Sequence, residues 1–407
     1  MNRTLNDARP LAGGLVLAMI ACMFMAAWGG SLETFTPAAP VDELAAEDNI
    51  SFAGGRAAQT SFLAGAVKSS GATGQFDIAW PSAMAAGPSG SVYIVGFALG
   101  QVTFGSININ TNNYQVPYVG KIDSNGNWVW VTAASSNSSD AWGAGIGIGV
   151  DSSGNAIITG ILTDTLAFGS NSVSSSTGQF GPSADLFVAK ISSTGTWSWA
   201  TTAGGGGDDE LGTGVAMASN GDAFVVGQIN GSATAGTHSV NGNGIDAFIG
   251  KISSGGTWSW ATRGGGGNTD SANGVSVDGS DNAYVVGFFG SDTNGATFGS
   301  TSLVAQGSSD VFVSKLSSTG GWSWTKSAGS ASGAVGGMGI SHGSAGSYIV
   351  GQMQGTVNFG SSVQATATST CVDGFAALID DAGSWQWAST AGGSGATLTI
   401  LSAVGVN

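Results

Sequence analysis

Residues 274–326 read GVSVDGSDNAYVVGFFGSDTNGATFGSTSLVAQGSSDVFVSKLSSTGGWSWTK. Four short runs rich in β-branched and aromatic residues stand out: Gly274 to Val277, Ala283 to Phe289, Val311 to Leu316 and Trp322 to Lys326. Turn-rich spacers separate them, the sequence signature of successive strands. Asp278 to Asn282 has the composition of a tight hairpin. Glycine supplies positive φ there, and Asp or Asn bonds its own backbone. Asp151 to Asn155 and Ala218 to Asp222 are its equivalents, and Ser192 to Gly195 is the kind of turn that joins the third run to the fourth. Four antiparallel strands recurring at an interval above about 40 residues is the arithmetic of a propeller blade.

The repeat runs along most of the chain. A W-x-W pair occurs at Trp128/Trp130, Trp197/Trp199, Trp258/Trp260, Trp322/Trp324 and Trp385/Trp387, and Phe76 to Trp80 reads as a degenerate copy. Units therefore end near Trp80, Trp130, Trp199, Trp260, Trp324 and Trp387, roughly 60 residues apart. Residues 62–80 look like the last two strands of a unit, and 389–407 like the loop and first strand of another. Joining them makes a sixth blade from both termini and removes an exposed sheet edge. The expectation is an all-β fold: residues 55–407 as a beta-propeller of about six four-stranded blades. A truncated longer protein is the alternative.

Composition agrees with a packed β-protein. Glycines number 70, charged residues are 9% and apolar residues 42%, which suits a buried core and not a disordered, charge-rich tail. Seven prolines and no three-residue glycine period exclude collagen. The net charge of −15 leaves no basic stripe for a nucleic acid. Residues 1–31 carry Arg3 and Arg9 before an uncharged run from Leu11 to Ser31, the pattern of a signal peptide or a membrane anchor helix. Met19 to Cys22 makes a poor lipobox. Residues 32–54 read as an acidic linker. Contact with a membrane would come only through residues 11–31, if they are not cleaved. The folded part would then lie outside the cell or on its surface. Cys22 and Cys371 make no disulfide framework. N-x-S triplets stand at Asn49, Asn137 and Asn230.

The string from Asp185 to Gly205, DLFVAKISSTGTWSWATTAGG, resembles the SBBP-type beta-propeller repeat of secreted and surface proteins of bacteria and archaea. The resemblance covers essentially residues 55–407. It implies an exported propeller and no single activity. Ala189, Thr194, Gly195 and Trp199 also resemble the tryptophan-docking pattern of quinoprotein propellers, in which Ile191 takes the acidic place.

Individual residues divide between structure and function. Two tryptophans two apart on a regular strand point to one face, so Trp130, Trp199, Trp260, Trp324 and Trp387 with their partners are expected to pack between blades. A sugar-stacking platform is the alternative. Asp185, Asp246, Asp310 and Asp373 recur at the start of the third strand; Lys121, Lys190, Lys251 and Lys315 recur at its end. Their spacing puts Asp and Lys on opposite faces, so any pairing is with a neighbour, and inter-blade hydrogen bonds or ion pairs are expected. Val116 replaces the Asp in the first unit and Leu378 the Lys in the fifth.

Oxygen ligands at short spacing can hold Ca²⁺. Asp208, Asp209 and Glu210 are the best candidate, with Asp270, Asp278 and Asp281 behind them. The first hairpin position is Gly87, Ala218 or His342 elsewhere, which favours turn chemistry over a repeat-encoded metal. His238 and His342 have no nucleophile motif beside them. Gly204 to Gly207 lacks the G-K-[ST] ending of a phosphate loop. A quinone-dependent dehydrogenase finds no vicinal cysteine pair, and catalytic residues are not identified. The expected function is a non-enzymatic binding or adhesion module for a glycan or protein. It would use the roughly 20-residue segments between second and third strands, such as Gln228 to Ile245, as binding loops. The alternatives are a polysaccharide hydrolase or lyase and a passive envelope protein.

Overall fold

A computed structural model describes residues 67–70, 75–178, 181–205, 210–368, 372–393 and 404–405. Residues 1–31 and 32–54, with the signal or anchor, Cys22 and Asn49, lie outside the described residues, as do Cys371 and the segments before 67 and at 394–403. The expected sixth blade falls there only in part: residues 75–80 belong to the strand Gln75–Ala86 and Val67–Ser70 pairs with it, so they are not the last two strands of a closing blade. Among those described, the fold is all-β, and no helix is long and apolar enough to cross a membrane.

The strands group into five antiparallel meanders of four. The first comprises Gln75–Ala86, Val92–Leu99, Val116–Ile122 and Trp128–Ala133, and the second Trp142–Val150, Ala156–Thr163, Ala184–Ile191 and Trp197–Gly204. The third runs Leu211–Met217, Ala223–Ala235, His238–Ile252 and Trp258–Gly265; the fourth Asp270–Val277, Ala283–Gly290, Ser309–Leu316 and Trp322–Gly329. The fifth is Val335–Gly343, Gly346–Met353, Asp373–Ile379 and Trp385–Ala391. The first strands of successive units pack side by side. Glycine permits this: a Cβ on Gly147 would stand 2.8 Å from the Gly214 Cα, and one on Gly274 3.3 Å from the Gly339 Cα. Part of the glycine excess is therefore a stripe along which inner strands touch.

Trp80 does not end a unit. It lies in the first strand of unit 1, opposite Phe97 of the second, the register that Ala144 holds opposite Ile161 in unit 2. Val67–Ser70 forms a hairpin with the start of that same strand. Apolar alternation is common to every strand, so Phe76 to Trp80 matches W-x-W without sharing its place.

The tryptophans of each pair point to opposite faces, not one. A register shift in every fourth strand, as between Lys190 and Ile191, sets Trp199 opposite Lys190 and Trp197 opposite Ile191. Such a bulge inserts one residue and turns the side-chain alternation over. Trp128 packs in the cluster of unit 1, whereas Trp130 joins Trp197 in the core between units 1 and 2. Trp199 and Trp258 share the next core, Trp260 and Trp322 the one after, and Trp324 and Trp385 the last. Four of the five second tryptophans also donate the indole N–H to the following unit's turn: Trp130 to Ser193 O (3.0 Å), Trp199 to Ser254 O (3.0 Å), Trp260 to Ser318 O (3.2 Å) and Trp324 to Asp381 O (3.0 Å).

The segments between second and third strands are not free loops. Each folds back as a hairpin whose Phe104, Phe168, Phe298 or Phe359 lies edge-on to the first tryptophan of its own unit. In unit 3 that place is Ala235, and His238 Nε2 lies 3.1 Å from Trp258 O. The hairpins also pair with the preceding unit, at Ser135 with Ala167, Ala203 with Ala235, Gly264 with Phe298 and Ala328 with Phe359. They stitch the array together because an unpaired strand end leaves backbone groups unsatisfied.

Candidate functional site

Antiparallel alternation sorts the chain's connections to two ends. The short turns lie at one end, and the hairpins with the unit-to-unit linkers lie at the other.

At the turn end the acids serve the backbone. Asp278 accepts the Ser280 and Asn282 amides at 2.9 Å each, and Asp151 does the same for Ser153 and Asn155. Asp281, in the left-handed region at φ 59, accepts both the amide and the hydroxyl of Ser219 in the preceding unit. The repeat lysines end here too. Lys251 pairs with Asp222 at 3.4 Å and Lys315 with Asp278 at 3.6 Å, each within its own unit, and Lys190 donates to Ser254 O of the next. Lys315 also reaches Tyr284 Oη at 2.6 Å, whose hydroxyl donates to Asp381. His342 stacks on the Tyr284 ring at 4.2 Å.

The repeat aspartates are buried at the hairpin end. They bond within their own units: Asp185 to Ser176, Asp246 to Arg263 at 2.7 Å, Asp310 to the Gln306 amide and Asp373 to Thr368. Of the expected inter-blade hydrogen bonds or ion pairs, Lys190 makes one, to Ser254 O; among the described ion pairs none joins a repeat Asp to a neighbouring unit's Lys. Five residues at about 3.3 Å per residue hold the two side chains at opposite ends of the strand.

Asp208 and Asp209 of the calcium candidate lie outside the described residues. Glu210 is buried, and its amide donates to Ala184 O at 2.7 Å. It occupies, by register, the place of Asp270 in unit 4. Among the described residues no three His, Cys, Asp or Glu side chains group to hold a metal.

Burial pushes the Asp270 carboxyl up to about 7, helped by the charges of Asp246 and Asp292, and the Asp310 carboxyl up to about 6. Burial also raises Asp246, outweighing Arg263. A raised native pKa means stability that is complete below the unfolded value of 3.8 and lost as pH rises through the folded value. Asp281 is held low by Ser219, so its contribution is lost only as pH falls below the ordinary carboxylate range. The melting temperature should therefore be highest near pH 4–5, roughly, and fall toward pH 8. In Asp270→Asn, thermal melts between those limits should show a shallower slope; an unchanged slope counts against the assignment.

The hairpin end also holds a polar cleft of about 350 Å³ between residues 135–138 and Asp164, Thr165 and Ser172. The corresponding position before the hairpin is Gly100 (φ 81), Gly231 (φ 71) and Gly355 (φ 69) in units 1, 3 and 5, whereas Asp164 adopts φ 53. Unit 4 has a longer connection there, with Gly295 at φ 72. A left-handed backbone favours glycine, and Asp is among the few side chains that tolerate it. Asp164 Oδ2 accepts the Ser138 hydroxyl and Oδ1 the Thr165 hydroxyl at 3.2 Å. Ser136, itself buried, donates to Thr165 O at 3.0 Å. Gln115 is buried with neither side-chain amide atom hydrogen-bonded. Continuing the register of Tyr118 with Ala133 sets it opposite Ser136. Sequence reasoning missed this place. Aligning Thr163-Asp164-Thr165 with Leu99-Gly100-Gln101 and Gln354-Gly355-Thr356 exposes it.

The class defined by fold and site is, among the described residues, an all-β array of antiparallel four-stranded units with a polar cleft at Asp164 where unit 2 departs from the repeat. No protein-family model matches the chain, and no curated protein matches it.

Proposed function

We propose that the protein is a non-enzymatic, exported binding or adhesion module that meets a glycan or a protein through its hairpin end. The observation that carries this reading is the cleft at Asp164. Structural repeats need the same residue at the same place, and this unit departs from glycine where hydroxyls and a carboxylate converge. Loops and linkers on a rigid scaffold are where recognition concentrates.

The array reads as a propeller of the SBBP type, and a sixth blade closing it would have to form without Gln75 to Trp80, which lie in the first strand of unit 1. Supporting such closure, Met84 is 59% exposed, whereas of its register equivalents Ile148, Val215 and Ile340 are 8–9% exposed and Val275 is half-buried. Trp387 is likewise 41% exposed where the other second tryptophans meet a following unit. Export and a cell-surface or extracellular location rest on residues 1–31.

The test is binding of the full-length chain to a polysaccharide array, with calcium and with EDTA. Saturable binding that survives EDTA is expected. Binding abolished by EDTA would make the acids a calcium site, and no binding in either buffer would overturn the glycan reading.

A further inference from the structure

We infer that the Asp164 cleft takes a single neutral polyhydroxylated ring, one sugar residue, held by its hydroxyl pair on the Asp164 carboxylate. The inference rests on the binding-module reading and names its ligand class.

The lining decides the chemistry. It offers one carboxylate, the hydroxyls of serines 135, 136, 138 and 172 with that of Thr165, and the Asn137 amide. No cation stands among the described residues that line the cleft, so an anionic ligand finds no counter-charge there. Ala167 and side-chain carbons give the walls apolar area as well, but the hydroxyls disfavour a wholly apolar ligand, which would strip them of water without replacing its hydrogen bonds. Calcium seeks six to eight oxygens, usually with more than one carboxylate, and Asp164 is the only carboxylate in the lining.

A neutral polyol fits what remains. Both carboxylate oxygens already accept hydroxyls, from Ser138 and Thr165. These stand where two adjacent ligand hydroxyls would donate, and hydrogen bonds to an ionised acceptor are the stronger kind. The volume of about 350 Å³ lies at the small end of ligand pockets, a size that suits one ring. Ser138 sits on an exposed linker beside exposed Asn137 and Ser139. Its hydroxyl can give way to the ligand without unpacking the core.

The repeat supplies the control. Asp164→Gly restores the residue of units 1, 3 and 5 and suits φ 53, so the fold should persist. The full-length chain would be titrated with D-glucose, D-galactose, D-mannose, L-fucose and methylamine, and followed by saturation-transfer NMR and by thermal melts. Expected are saturable binding of at least one sugar, at least tenfold weaker binding in Asp164→Gly, and equal or tighter binding in Ser138→Ala. Sugar binding unchanged in Asp164→Gly overturns the assignment. So does methylamine binding without sugar, which would make the cleft an amine site. So does a melting point that falls equally in both variants with no sugar bound, which would make Asp164 a latch for the linker. If the wild type binds polysaccharide but no monosaccharide, the cleft assignment falls while the binding module stands.

Discussion

Gly287→Ala should destabilise the array by about 3 kcal/mol or more, because an added methyl has nowhere to go in a packed sheet. Its Cβ would stand 1.9 Å from the Ser271 carbonyl oxygen and 2.9 Å from Phe312 Cε1. The obstacle is backbone, which cannot swing aside as a flexible side chain can. It arises from the bulge between Ala272 and Gly274, which brings the first strand across the face of the second. The same collision awaits a Cβ at Gly96, Gly160, Gly227 and Gly351, at 1.9–2.1 Å from the Trp80, Ala144, Leu211 and Gly336 oxygens. Gly279→Ala is the control, since nothing lies within 4 Å of its Cβ. Such a surface change should fall within about 0.5 kcal/mol of wild type. Denaturant unfolding of the two variants checks this; equal midpoints would contradict the bulge argument.

Trp258→Ala should cost about 3–5 kcal/mol, the range for emptying a buried aromatic site. Trp258 is 4% exposed and lies edge-on to Phe248 at 5.7 Å. A Cβ on Gly250 would meet its ring at 2.6 Å, so the third strand is already shaped around the indole. The cavity would open in the core shared by units 2 and 3. Trp387→Ala is the informative companion. Against solvent its truncation should cost under about 1 kcal/mol. In a closed ring its loss should approach that of Trp260→Ala. Thermal melts of the three variants would separate these outcomes, and a Trp258→Ala protein as stable as wild type would refute the packing described.

Much of the architecture was legible in residues 274–326 alone. The four runs there became strands of the fourth unit, and Asp278 bonds its turn backbone as expected, but the left-handed residue of that turn is Asp281 and not Gly279, whereas Gly154 and Gly221 fill that place in units 2 and 3. Strand alternation and turn bonds are local, so a single sequence carries them. The W-x-W pair was read onto one face because regular alternation puts it there. The bulge that splits the pair depends on pairing with Lys190 and Ile191, and no local signal announces it. The segment Gln228 to Ile245 looked like a polar loop because its anchors, Ala235 and Ala203, belong to different units.

The same division governs the candidate site. Asp164 is one acid among 25 in the sequence. Its place opposite Ser138, and the glycines that hold its position in three other units, emerge only from register. By itself the sequence determined the β class, the unit length and the residues that repeat, because these follow from local periodicity and turn chemistry. Only tertiary structure decided which way each tryptophan points, which unit each hairpin stitches, and where a polar cleft opens. Those depend on hydrogen-bond pairing between segments far apart in the chain.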